Sequence, residues 1–273
     1  MAAGLAATPQ SAWELWSRVR QTSPLIQCIT NYVSMDIMAN VLLAAGCSPA
    51  MVHSTEEVDE FLAIASGLLI NIGTLDPDWV ASMKKAAETA SKLGKPWVLD
   101  PVGAGATTFR TKACVELLKL KPTVIRSNAS EIMAVAGAAG KTKGVDSVAT
   151  SDEALDLGQQ LAKDVGCIVA ISGAEDLVTD GETVVRVANG VPMLQKVTAT
   201  GCSVTALIAA FVSTSPENPL LSTAHALSIF GLAGELALKN AKIQGPGSLR
   251  TGLMDHLHLM GETEVLEGAK IRI

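Results

Sequence analysis

The segment Val197-Thr198-Ala199-Thr200-Gly201-Cys202-Ser203 joins a turn of small residues to the apolar run Val204 to Phe211. If the run is helical, the N–H groups of Ala199 to Cys202 stand at its start without intrahelical partners, and the positive end of the macrodipole adds to their pull on an anion. A phosphate suits such a turn. Cys202, read as the first residue of the helix, is expected to have a lowered thiol pKa and to face the anion. A tight connection with an inert cysteine is the competing reading of this segment taken alone.

Two carboxylates offer further chemistry. Asp100 ends the apolar run Trp97-Val98-Leu99 and precedes Pro101, and Glu131 lies three residues after Asn128. A pair of hard oxygen donors suits Mg²⁺, in part through water. The structural alternatives are a turn cap for Asp100 and a surface acid for Glu131.

The elements that must position these residues follow from the apolar pattern. Leu25 to Ile29, Ala50 to Val52, Leu68 to Ile70, Trp97 to Leu99, Thr123 to Ile125 and Ile168 to Ile171 have the length and composition of buried parallel strands. Each ends at polar residues or glycine. Between them lie helical segments, Ser34 to Ala45, Val58 to Ser66, Pro77 to Leu93, Ala129 to Ala136 and Ser151 to Val165, most closed by a glycine. Ser11 to Gln21 is expected as a first helix, and Leu221 to Leu238 and Ser248 to Met260 as the last two. Alternation of this kind predicts an α/β fold with a mostly parallel sheet, whose ligands bind outside the carboxyl ends of the strands. Asp180-Gly181, flanked by β-prone runs, predicts an antiparallel hairpin after the parallel strands.

Bulk properties narrow the function. A chain of 273 residues with 48% apolar content supports one large domain, 1–273, with residues 1–10 read as a flexible leader. Net charge of -6 without a Lys/Arg cluster argues against nucleic acid. No stretch supplies the ~20 uninterrupted apolar residues of a membrane span, and the start lacks the pattern of a secretory signal. Five cysteines without a Cys-x-x-Cys pair fit a reducing, cytoplasmic setting.

Several ordered blocks together resemble the hydroxyethylthiazole kinases of the ribokinase-like superfamily. They are Ile29-Thr30-Asn31, Ser48-Pro49-Ala50-Met51, Asn71-Ile72-Gly73-Thr74-Leu75, Leu99 to Thr107, Arg126 to Ile132, the turn before Val204, and Gly245-Pro246-Gly247-Ser248. The resemblance implies a three-layer α-β-α fold without a separate lid, and ATP-dependent phosphorylation of a small heterocyclic alcohol in thiamine metabolism. It implies that Arg126, Ser172 and Asn128 contact the nucleotide and that Asp100 and Glu131 serve Mg²⁺; by position alone, Lys196 just before the turn is a further phosphate candidate, with a plain exposed lysine as the alternative. It further implies a thiazole site at Met51, Asn31 and Gly73 and a homotrimer with active sites between subunits.

Relatives in the wider superfamily carry Asp where Cys202 stands, so a proton-accepting, positioning or bystander role for Cys202 stays open. Ala199 stands where Gly is common, beside the catalytic turn residues Thr200 and Gly201. A kinase for hydroxymethylpyrimidine or pyridoxal, and a nucleotide-binding regulator without catalysis, are the alternative functions.

Overall fold

The structure, a computed structural model, describes residues 6–139, 151–239, 242 and 244–273. Side chains alternate across each central strand. Cys28, Leu69, Val98, Val124 and Ala170 enter one hydrophobic cluster, whereas Ile29, Ile70, Leu99, Ile125 and Val169 enter a second on the opposite face. This double burial is why the strands read as continuous apolar runs.

The strands are β1 (Leu25–Ile29), β2 (Ser48–Met51), β3 (Gly67–Asn71), β4 (Trp97–Asp100), β5 (Val124–Asn128), β6 (Ile168–Ser172), β7 (Asp176–Thr179), β8 (Val184–Val187) and β9 (Ile271–Arg272). They form one sheet in the order β2-β1-β3-β4-β5-β6-β7-β8-β9. The first six in this order are parallel, and β7, β8 and β9 are antiparallel to their neighbours. The six carboxyl ends therefore share one edge, as expected.

The first cluster is covered by α1 (Pro9–Thr22), α2 (Met35–Ala44), α8 (Thr200–Thr214), α9 (Pro219–Lys239) and α10 (Pro246–Leu259). The second is covered by α3 (Val58–Ile64), α4 (Pro77–Leu93), α5 (Thr108–Leu118), α6 (Ala129–Ala139) and α7 (Ser151–Val165). Helix α9 has the length and composition of a membrane span, but most of it is buried in the core.

Four elements are absent from the sequence expectations. The buried residues of α5 all lie in its second half, from Ala113 to Leu118, so its pattern is short. Helix α11 (Glu262–Gly268), the 3-10 helix Pro192–Lys196 and two-residue β9 are too brief for a period to register. Ordered structure also begins inside the stretch read as a leader. Thr8 Oγ1 accepts the Ser11 N–H at 3.2 Å and Pro9 opens α1; residues 1–5 lie outside the described residues. In the hairpin, Asp180 Oδ1 accepts the N–H groups of Glu182 and Thr183, and Gly181 takes φ 99°.

Candidate active site

Parity places the polar strand ends. Asn71, Asp100, Arg126 and Ser172 each follow by two residues an inward-facing residue of the α8 side, namely Leu69, Val98, Val124 and Ala170. Four neighbouring strands thus present polar groups beneath the N-terminus of α8. A cavity of about 640 Å³ opens there, lined by Asp100, Arg126, Asn128, Glu131, Ser172 and Asp176 and by residues 199–202 of the turn. Its other end is apolar, with Val191, Leu194, Leu227 and Phe230.

The turn has the geometry of an anion site. Ala199 caps α8 in the left-handed region, φ 61° and ψ 12°. The first intrahelical bond runs from Ser203 N to Ala199 O at 2.9 Å, so the N–H groups of Thr200, Gly201 and Cys202 precede the ladder. Thr200 Oγ1 lies 3.1 Å from both Leu194 O and Val197 O, tying the turn to the segment before it. Arg126 reaches the same place: a Cβ on Gly201 would sit 2.8 Å from its Nη1. Among the described residues, the buried Arg126 Nε has no hydrogen-bond partner. A half-buried cation with an unmet donor beside three N–H groups that precede the helical ladder has the chemistry to hold phosphate.

Helix α8 begins at Thr200, so Cys202 is its third residue and not its first. The expected low thiol pKa is also corrected. Burial, and secondarily the charge of Asp100, push Cys202 up to about 11 despite the helix terminus. The thiol is protonated at neutral pH.

Asp100 is 2% exposed. Its Oδ2 accepts from Asn71 Nδ2 at 2.7 Å and from Thr205 Oγ1 at 3.0 Å. Burial raises its pKa to about 6, Arg126 pulls it down and Glu131 pushes it up. Among the described residues Oδ1 has no such partner. Glu131 is engaged at both oxygens: Oε1 accepts the Gly103 N–H at 2.7 Å, and Oε2 accepts from Ser127 Oγ. Among the described residues no ion pair joins Arg126 to Glu131. Asn128 Oδ1 accepts the Glu131 N–H at 2.9 Å and so caps α6. Ser172 Oγ donates to Ser127 O at 3.1 Å. No cluster of three metal-ligating side chains occurs among the described residues. Two hard carboxylates beside a phosphate site still fit Mg²⁺, which commonly takes one or two protein carboxylates and fills its shell with phosphate and water.

The remaining candidates lie apart from this cavity. Lys196 is exposed at the end of the 3-10 helix and is not among the lining residues. Asn31 and Gly73 sit at adjacent strand ends, with Asn31 Nδ2 3.6 Å from Cys202 Sγ and 2.8 Å from Asn71 Oδ1. Gly73 has no room for a side chain, since its Cβ would fall 2.8 Å from Asn31 Nδ2. Met51, half-buried, ends β2 and packs on the α8-side cluster. Beside these residues His53 stacks on Trp79 at 4.5 Å between ring centroids, and Tyr32 lies 4.7 Å from the same ring.

Sequence reasoning missed three contributors. Asp176 lines the cavity, accepts the Gly173 N–H at 2.9 Å and has its pKa raised by burial. Thr205 and Asn71 hold Asp100. Asn71 carries a signal in retrospect, because its parity on β3 matches that of Asp100 on β4, and the two are register partners.

A model of the hydroxyethylthiazole kinase family matches residues 16–262. A hydroxyethylthiazole kinase of Zea mays is 53% identical, over 96% of this chain and 93% of its own length. The solved structure of a hydroxyethylthiazole kinase protein from Pyrococcus horikoshii is 43% identical, with a TM-score of 0.89 over 96% of this chain and 98% of that one. A ribokinase-like superfamily protein of Enterococcus faecalis, 13% identical, shares the fold with a TM-score of 0.61 over 90% of this chain and 89% of its own. A family match across the polar strand ends, the α8 turn and most of the sheet leaves one conclusion: the chain belongs to the hydroxyethylthiazole kinase family.

Proposed function

We propose that this protein transfers the γ-phosphoryl group of ATP to the primary alcohol of 4-methyl-5-(2-hydroxyethyl)thiazole, the activity for which its relatives are named. The observation that carries the reading is the meeting of Arg126 with the α8 turn, a cationic and N–H-lined pocket beside two carboxylates. Phosphoryl transfer needs alignment and charge neutralisation more than covalent help. The N–H groups of Thr200, Gly201 and Cys202 and the Arg126 guanidinium supply that neutralisation on the transferred group. Ser172 and Asn128 flank the phosphates, and the apolar end formed by Val191, Leu194, Leu227 and Phe230 accommodates the base. Asp100 and Glu131 would hold Mg²⁺, whose role when bound is to neutralise phosphate charge.

The acceptor lies against Met51, Asn31 and Gly73, on the far side of Cys202. There the alcohol approaches the α8 turn from the strand ends of β1, β2 and β3. Cys202 acts there as a neutral group, since its thiol keeps its proton. Tyr32 and Val33, 65% and 57% exposed beside Asn31, support an assembly that covers this side. A homotrimer with active sites between subunits fits, and light scattering on a sizing column tests it. Five free cysteines accord with a cytosolic setting.

The test is ADP release from purified protein with ATP and Mg²⁺, with and without the thiazole alcohol, hydroxymethylpyrimidine and pyridoxal. Thiazole-dependent ADP is the expected result. Activity on another alcohol alone would move the substrate, and ADP formation indifferent to every alcohol would sink the kinase reading.

A further inference from the structure

Asn71 is fully buried at the end of β3, between β1, which leads into Asn31, and β4, which ends at Asp100. Its amide makes contacts in both directions. Nδ2 donates to Asp100 Oδ2 at 2.7 Å, while Oδ1 accepts from Asn31 Nδ2 at 2.8 Å and from Gly73 N at 3.0 Å. The orientation is dictated by chemistry, since a flipped amide would set its NH₂ group against two donors and its oxygen against a carboxylate.

Asn31 is fixed in turn. One Nδ2 hydrogen faces Asn71, the other Cys202 Sγ, and its Oδ1 accepts the Ser34 N–H at 3.0 Å. On the opposite side, Thr205 Oγ1 reaches both Asp100 Oδ2 and Gly201 O, 2.9 Å away on the α8 turn. A single amide therefore links the strand ends assigned to the acceptor with the carboxylate and turn assigned to the phosphoryl group. With Oδ2 held on two sides, the Asp100 carboxylate has one orientation.

We infer that Asn71 is a positioning residue for phosphoryl transfer, acting through Asp100 and Asn31 to keep the acceptor half and the phosphate half of the site in one register. The inference rests on the kinase reading above. A residue that sets alignment but touches neither substrate lowers kcat and leaves the Michaelis constants nearly alone.

The experiment compares wild type, Asn71→Ala and Asn71→Asp for kcat and for KM with ATP and with the thiazole alcohol, alongside a thermal melt of each. Asp at 71 keeps an oxygen toward Asn31 and Gly73 but replaces the amide donor that holds Asp100 with a second buried carboxyl, which must share a proton with Asp100 or repel it. For both variants kcat is expected to fall roughly 10- to 100-fold with each KM within about threefold. A variant that melts cooperatively and keeps kcat within about twofold of wild type, or loses efficiency through KM alone, overturns the inference. If Asn71→Ala does not fold, the isosteric Asn71→Asp carries the same criterion. A wild type active on the thiazole beside equally active variants refutes the role of Asn71 alone. A wild type that phosphorylates none of the three alcohols refutes the kinase reading and this inference together.

Discussion

Gly201→Ala sets stability and catalysis against each other. A Cβ built at 201 lies 2.8 Å from Arg126 Nη1 and 3.8 Å from Cζ and Nη2, and these guanidinium atoms are its three nearest neighbours. Optimal non-bonded separation is about 3.5–4.0 Å, so the guanidinium must retreat by roughly 0.7–1.2 Å. Misplacing a positioning group by about 1 Å costs on the order of 100-fold in rate, or about 2.7 kcal/mol at 1.36 kcal/mol per factor of ten. The backbone responds in the opposite sense, because alanine at a position whose φ suits it restricts the unfolded chain and stabilises by roughly 0.4–1 kcal/mol relative to glycine. The melting temperature of Gly201→Ala should thus hold or rise by a few degrees while kcat/KM for ATP falls about 100-fold. Coupled ADP release across an ATP series at saturating thiazole alcohol, paired with calorimetry, measures both. The loss should act through Arg126, so adding Gly201→Ala to Arg126→Ala should change little. Full activity in Gly201→Ala, or a large further loss in the double variant, would refute the reasoning.

Other perturbations probe the neighbouring groups. Burial raises Asp100 from 3.8 to about 6, so the native state holds that proton more tightly than the unfolded chain, and stability falls as pH rises from about 4 to about 6. Asp100→Asn, without nucleotide or Mg²⁺, should then melt above wild type at pH 7.5, lose this advantage near pH 4, and be inactive; a difference independent of pH would count against a costly buried charge. Glu131→Gln should shift the Mg²⁺ titration of activity to higher concentration, and an unmoved curve would leave Glu131 only its contacts to Gly103 and Ser127. Cys202→Ala should keep activity within about tenfold, with an unaltered kcat profile from pH 7 to 9, because the native thiol stays protonated there. Loss of a pH-dependent limb in that variant would restore the thiol as proton acceptor.

The sheet is legible in the sequence because strands buried on both faces become uninterrupted apolar runs, and the polar residue ending each run marks the edge where the cavity opens. The strand-end pattern places Asp100, Arg126 and Ser172 on that edge, the α8 turn is legible from its small residues, and the roles of Arg126 and Ser172 come from the family resemblance; all of them meet in one cavity. What escaped was geometry that no period encodes. The Cys202 thiol was misjudged because a helix terminus can be read from spacing, whereas its burial and the nearby Asp100 charge depend on strands far away in sequence. Asn71 shows no role by its spacing, since its partners lie 40 and 29 positions away. Helix α5 was missed for a plainer reason: the first half of it buries nothing.

Ala199 restricts which sequences can occupy the turn. At φ 61° an alanine costs roughly 1–2 kcal/mol against a right-handed residue, and β-branched side chains fare worse. Position 199 therefore ranks substitutions by left-handed propensity and not by hydrophobicity, even though its methyl packs on the core. Saturation mutagenesis should order Gly, Asn and Asp at or above Ala, with Val and Ile well below. The favoured glycine brings a different liability, a backbone free to leave the conformation that holds the three N–H groups in place. The native alanine gives up some stability there and gains a stiffer turn.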